Sequence, residues 1–169
     1  MEAVDLLYHS SGVRKRGEIP FRTFPSAGGL SETEVYVTPY MSDLEINIYH
    51  HNCLSHSIEK LNLNAFSALQ SHALSSIPGL NAVPLLIILT SRYGRTIAKC
   101  SNRGVRLLPA DLGIVMENFF LIVTTLGLGI CAVGYFNDYF VNKILDIGIE
   151  KGEVKVDMLV VGEKDERRS

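Results

Sequence analysis

A chain of 169 residues with 47% hydrophobic and 20% charged residues can bury a single core, so one domain is expected, and neither repeats nor a linker interrupts it. The formal net charge of −2 offers no basic face to nucleic acid, and three widely separated cysteines, Cys53, Cys100 and Cys131, form neither a disulfide framework nor a CxxC zinc pair. That cysteine usage suits a reducing cytoplasm, and the N-terminal MEAVDLLYHSSGVRKRGEIP lacks the apolar run of a signal peptide.

In chain order, Val4 to Gly12 reads as a short helix that ends at its glycine before a basic loop, VRKRGEIPFR. Thr33 to Thr38 and Glu45 to His50 read as two strands joined by a turn, PYMSD, which contains Pro39 and Asp43. A helix is expected over Ala65 to Ser75, stopped by Pro78 and Gly79. Val83 to Thr90 is a short apolar run with the character of a strand buried on both faces. The basic stretch SRYGRTIAKCSNRGVR is expected to carry a short helix. The longest helix runs from Leu107 or Asp111 to Leu126, and its apolar residues lie nearly all round, which predicts a central place. The apolar run from Leu112 to Phe136 has the length of a membrane span. Glu117, Asn118 and the glycines at 127, 129 and 134 argue instead for a core helix running into a glycine-rich turn. Asn137-Asp138 begins a helix through Leu145, Val154 to Val161 forms a last strand, and the charged tail GEKDERRS is expected to be mobile. Strands adjacent early in the chain favour an α+β domain, with a small, mostly antiparallel sheet flanked by helices.

Four stretches could carry chemistry. Pro25-Ser26-Ala27-Gly28-Gly29 has almost no side chain, so its backbone amides can approach an anion or a flat ring; an ordinary turn explains it equally well. It is neither a P-loop nor a dinucleotide fingerprint, because its glycines precede a strand instead of following one. GLGICAVGYF, Gly127 to Phe136, could likewise bring amides against a cofactor, although a helix C-cap accounts for its first glycines. YHHNCLSH offers His50, His51, Cys53 and His56, but a strand would send His50 and His51 to opposite faces, against a metal site. RTIAKCSNRGVR places Arg95, Lys99, Arg103 and Arg106 within 12 residues. It is either a solvated basic loop, an anion site, or the setting of a lysine base whose neutral amine Arg95 and Arg103 would favour.

These motifs, in this order, resemble the FMN-dependent nitroreductase superfamily, and within it the azoline dehydrogenase branch of streptolysin-type and microcin-type peptide biosynthesis. RTFPSAGGLSETEVYV is similar to that branch's PSAGGL-x-x-x-E-V-Y-V motif, Glu34 included. NIYHHNCLSHSIEKL is similar to its Y-H-Y and H-x-L-E-x-L stretch, which makes the histidines structural. IAKCSNRGVRLLPADLGIVMENFFLIVTTLGLGICAVGYF follows the K-Y-x-x-R-G-Y-R segment, the long helix and the glycine turn without a gap. The match runs from about Leu6 to Gly162.

The resemblance implies a nitroreductase-like fold around a long central helix, FMN as cofactor, and a homodimer that builds its flavin site between subunits. It also implies a peptide substrate and a cyclodehydratase partner, with no role for nucleic acid or membrane. Lys99 would take the ring α-proton, with Cys100 beside it. The flavin would be held by Pro25, Ser26, Ala27, Gly28 and Gly29 and by Gly129, Cys131, Val133 and Gly134. Nitroreductases usually carry phosphate-binding arginines upstream of the stretch matched here, so Arg22, Arg103, Arg106, Lys164 and Arg167 are the cations left for the phosphate. The family's tyrosines are Cys100 and Val105 in this chain, its tyrosine-proline is Ser31-Glu32, and its helix glutamine is Glu117. Two alternatives stay open: an NAD(P)H-dependent reductase of small electrophiles, and a non-catalytic scaffold subunit of a peptide-modifying complex.

Overall fold

The computed structural model describes residues 3–16, 18–40, 44–61 and 63–164. The chain runs α1 (Ala3–Ser11), β1 (Val13–Arg16), β2 (Ile19–Arg22), β3 (Thr33–Pro39), β4 (Tyr49–Asn52), β5 (Ser57–Lys60) and α2 (Phe66–Ser76). It continues through β6 (Leu85–Ser91), α3 (Tyr93–Cys100), α4 (Gly104–Thr125), β7 (Leu128–Ala132), α5 (Asp138–Leu145) and β8 (Val154–Glu163). Six strands make one antiparallel sheet in the order β5-β4-β3-β6-β8-β7, as an α+β domain requires.

Alternation along the central strands divides the core in two. Val35, Val37, Leu85, Ile87, Leu89, Leu159 and Val161 face one way, onto Leu6 and Leu7 of α1 and Leu112, Val115, Phe119 and Val123 of α4. Tyr36, Leu86, Ile88, Met158 and Val160 face the other way, onto Leu69 and Ala73 of α2 and Val141 and Leu145 of α5. The strand at 85–91 is therefore apolar at successive positions because helices cover both of its faces.

Several elements differ from expectation, each for a local reason. The basic stretch after α1 is a β1–β2 hairpin, not a loop; Val13 pairs with Arg22 and Arg14 with Phe21. Its alternation is hidden in the sequence by cations. The second strand begins at Tyr49 instead of Glu45, because the Asn47 side chain takes the Ile48 amide at 2.8 Å and removes it from a ladder. Ser57–Lys60, polar and only four residues long, forms the edge strand beside it. The long helix starts at Gly104, ahead of Pro109, whose missing amide leaves the carbonyl of Val105 unpaired at a surface position that water can reach. That helix is not buried all round: one stripe packs on the sheet, while Val105, Ile114 and Leu121 are 67%, 39% and 57% exposed. The segment Tyr93–Thr125 is long and apolar enough to cross a membrane by composition, yet this stripe is part of the main core. The glycine-rich segment after the helix turns only at Gly127 (φ 74) and then pairs with Met158–Glu163 territory as β7, with Leu128 and Ile130 directed to the core. Asn137 caps α5 as expected, its side chain accepting the Phe140 amide. Asp43 and the last five residues, Arg167 among them, lie outside the described residues.

Candidate active site

The Pro25–Gly29 loop leads directly into the central strand, so the sheet fixes one end of it. Inside the loop, Ala27–Gly29 make a single 3-10 turn, with Gly29 N donating to Ser26 O at 3.0 Å. Gly28 (φ 61) and Gly29 (φ 69) sit in the left-handed region, where a side chain is strained. The Ser26 hydroxyl closes the loop by accepting the Ser31 amide at 2.9 Å. From below, Asp111 of α4 accepts the Ala27 amide through Oδ2 at 2.6 Å. The loop is thus a braced platform, not a free turn.

Helix α3 crosses over the same loop. Lys99, exposed in its last turn, donates from Nζ to the Gly28 carbonyl at 3.1 Å, and Arg95 Nη1 donates to the Ser31 carbonyl at 3.2 Å. A Cβ added to Gly28 would stand 3.0 Å from Lys99 Nζ, whereas one added to Gly29 would meet nothing within 4 Å. The side-chain-free surface and the amine therefore adjoin one another. Such a cradle fits a flat ring such as isoalloxazine.

A charged network anchors the strand end beneath it. Glu34 is buried and pairs with His50 Nε2 at 3.2 Å, Arg92 Nε at 3.2 Å and Arg95 Nη2 at 3.1 Å. Burial pushes the Glu34 carboxyl up, but the His50 hydrogen bond and the two arginines outweigh it and hold it below its ordinary value. The same bond holds His50 above its own. Glu153, also buried, accepts from Tyr36 Oη at 2.9 Å, Thr90 Oγ1 at 2.5 Å and Arg92 Nε at 3.0 Å. Arg92 thus ties β3, β6 and β8 together behind the α3 start. His51 points to the opposite face, as strand alternation requires, where its Nδ1 meets Ser11 Oγ at 3.0 Å and burial lowers it to about 4.

The remaining candidates divide into three groups. Arg22 is half-buried, with Nη1 donating to Ser11 O at 2.7 Å and Nη2 to Thr33 O at 2.8 Å, so its fork clamps α1 to the sheet. Cys100 ends α3, and Arg103 and Arg106 follow it, exposed and without ion pairs among the described residues. Gly129, Cys131, Val133 and Gly134 lie on and beyond β7, the far edge of the sheet. Register places them at its other end too: β7 pairs with 159–163 of β8, whereas the platform end of β3 reaches Ser91 and then Val154. Lys164 belongs with that second group, its Cα 3.6 Å from a Cβ built on Gly129. Within one chain the two candidate groups therefore stand apart. Sequence reading singled out Lys99 and the platform but not Asp111 or Arg92, whose partners lie 84 and 61 residues away; no local pattern announces such contacts.

The profile of the nitroreductase family matches residues 2–163. A Methanocaldococcus jannaschii protein named for the nitroreductases is 32% identical over 149 residues, covering 86% of this chain and 73% of its own. By structure, the chain is similar to one from the E. coli microcin synthetase McbBCD complex solved with truncated pro-MccB17 bound, at TM-score 0.83 and 19% identity over 96% of this chain. It is also similar to an Anabaena variabilis protein named for the nitroreductases, at TM-score 0.81 and 27% identity over 95% of this chain. The chain spans only 63% and 34% of those two proteins' lengths. With the family profile matched over residues 2–163 and a relative 32% identical across 86% of its length, this chain belongs to the nitroreductase family.

Proposed function

We propose that this chain is an FMN-dependent oxidoreductase that oxidises thiazoline or oxazoline rings to the aromatic azoles in a ribosomally made, modified peptide. The observation that carries it is the Lys99 amine resting on the carbonyl of a side-chain-free platform. Proteins of this family typically bind FMN, and the platform of residues 25–29 fits one face of its ring. Bound there, FMN would supply the two-electron acceptor that aromatisation needs. Lys99 Nζ would accept the α-proton of the azoline, and its present bond to the Gly28 carbonyl holds the amine at the platform edge until substrate displaces it. Asp111 and Ser26 keep the platform amides in place, so the ring meets a preorganised surface. The likeness in fold to a chain of a microcin synthetase complex solved with truncated pro-MccB17 bound is compatible with a peptide substrate, and a cyclodehydratase partner belongs to the same proposal.

A homodimer completes this reading. The second half-site on β7 lies at the opposite end and edge of the sheet from the platform, and α4 leaves an exposed apolar face between them. A second copy would bring one chain's platform to the other's Gly129–Gly134 and Lys164, with phosphate falling to Lys164, Arg103 or Arg106. The cytoplasm is the compartment we assign.

Purified protein should show flavin absorbance or take up added FMN. Lys99→Ala should keep the flavin while lowering azole formation by about 100-fold or more, the ordinary contribution of a general base. Turnover that survives Lys99→Ala removes the lysine from the mechanism. Gly28→Val, strained at φ 61 and directed at Lys99, should weaken FMN binding by at least about tenfold, measured by flavin fluorescence. A second reading has its own observation: Cys100 and the exposed Val105 stand where the family carries tyrosines, as in a subunit that has lost catalysis and serves as scaffold. Colourless protein that ignores added FMN would favour it.

A further inference from the structure

Glu32 is the one platform neighbour that the chemistry above leaves without a task. It is 1% exposed, and neither of its carboxyl oxygens has a hydrogen-bond partner. Beside it stand the carboxyl of Asp111 from α4 and the hydroxyl of Thr96 from α3. Thr96 is fully buried and its hydroxyl is also unpaired. Asp111, 6% exposed, is the residue that takes the Ala27 amide. Among the described residues, no cation pairs with Glu32. Arg95 turns to the Ser31 carbonyl and Glu34, Lys99 to the Gly28 carbonyl, Arg92 to Glu34 and Glu153, and Arg22 to the Ser11 and Thr33 carbonyls.

Two ionised carboxylates are both pure acceptors and cannot bond to each other; buried together, they hold two charges that nothing pays back. A single proton removes both problems. We propose that Glu32 is the protonated member of the pair and donates to Asp111, and that this acid–carboxylate pair positions the Ala27 amide and with it the whole platform. Glu32 is a positioning residue: it acts through Asp111 and touches neither ring nor substrate. Burial first, and then hydrogen bonding with Asp111 and its charge, raise the carboxyl above the ordinary value of 4.5, outweighing the backbone amide of Glu32 and the Thr96 hydroxyl, which lower it. The direction of the linkage follows. A carboxyl raised in the folded state contributes stability that is complete below the unfolded value and is lost as pH climbs through the folded one. Above that point the second charge drives the two side chains apart, Asp111 leaves the Ala27 amide, and the platform loosens.

The pair is a property of the chain itself; only the consequence for a ligand rests on the flavin reading. The test is a carbon-13 titration of glutamate carboxyls in the apo protein, joined to hydrogen exchange of the Ala27 amide and FMN affinity against pH. One glutamate carboxyl should titrate well above the others and vanish in Glu32→Gln, an isosteric variant that keeps a donor toward Asp111. In the wild type, Ala27 exchange corrected for its intrinsic pH dependence should accelerate by up to about tenfold per pH unit between the ordinary carboxyl value and the folded-state value, and level off above it. In Glu32→Gln it should stay flat, with platform and FMN affinity preserved. Asp111→Asn, whose amide can donate to an ionised Glu32, should lower the Glu32 titration. A Glu32 carboxyl that titrates with the surface glutamates, or a Glu32→Gln protein whose Ala27 exchange keeps the wild-type pH slope, overturns the pair. Absence of FMN binding at every pH counts against the flavin reading alone, because the carboxyl titration decides the pair without it.

Discussion

Replacing Phe119 by alanine destabilises the chain by about 3–5 kcal/mol and lowers its melting temperature by roughly 10 °C. Phe119 is the largest fully buried side chain, midway along α4 and packed in the cluster that joins α1, α4 and the sheet. The rigid sheet cannot collapse into the space a missing ring leaves, so a cavity cost adds to the lost transfer energy. Denaturant unfolding of the monomeric protein measures this directly. Leu121, two residues on, supplies the control: at 57% exposure its change to alanine should stay within about 0.5 kcal/mol in a monomer. The same position reads the proposed dimer. Leu121→Asp should weaken self-association in sedimentation experiments while leaving Phe119 and the core untouched. A large effect at Leu121 with a small one at Phe119 would reverse the assigned faces of the helix.

The buried face of α4 shows what could be read in advance and what could not. Its existence and extent followed from an uninterrupted apolar run, but its surroundings did not. Apolar residues all round predict complete burial, and the exposed side with Ile114 and Leu121 departs from that expectation. The strand at 85–91 was legible because both faces are covered and residues 85–89 are apolar at every position. The β1–β2 hairpin and β5 were not, since charged edge strands owe their state to pairing partners and have little pattern of their own. In the site, small residues marked the platform and a cation cluster marked Lys99. The braces from Asp111, Arg92 and Glu153 are contacts across 60 to 120 residues that only the folded sheet creates. Resemblance implies that Gly129–Gly134 and the platform form one flavin site between the subunits of a homodimer; within a single chain the register sets β7 away from the platform end of the sheet.

Lys155→Met is expected to raise stability at pH 7 by about 1–4 kcal/mol, as when an ill-paired buried charge gives way to an apolar chain. The Lys155 side chain is fully buried in β8, its Nζ makes no hydrogen bond, and it lies against the Phe136 ring. The nearest carboxylate, Asp138 Oδ1, is 3.8 Å away and mostly in water. Burial lowers Lys155 to about 7, with Asp138 and Asp157 recovering only part of the loss. Because the folded value is below the unfolded one, the unfolded chain binds the extra proton, and stability rises with pH above about 7. The slope should approach 1.4 kcal/mol per pH unit. Groups raised in the folded state act in the opposite sense: His50 and Glu32 from lower pH, and Cys53 and Tyr36 above their ordinary values of 9.0 and 10.0, so across pH 7 to 9 the difference between wild type and Lys155→Met isolates Lys155. Urea unfolding at steps across that window should show the wild type gaining stability relative to Lys155→Met. A Lys155→Met curve that runs parallel to the wild type across the window sinks the assignment. The result also bears on the active site. A near-neutral lysine titrating 56 positions from Lys99, on another face of the sheet, can imprint its own value on a pH–rate profile through stability alone. An apparent lysine base in such a profile belongs to Lys99 only if it persists when Lys155 is methionine.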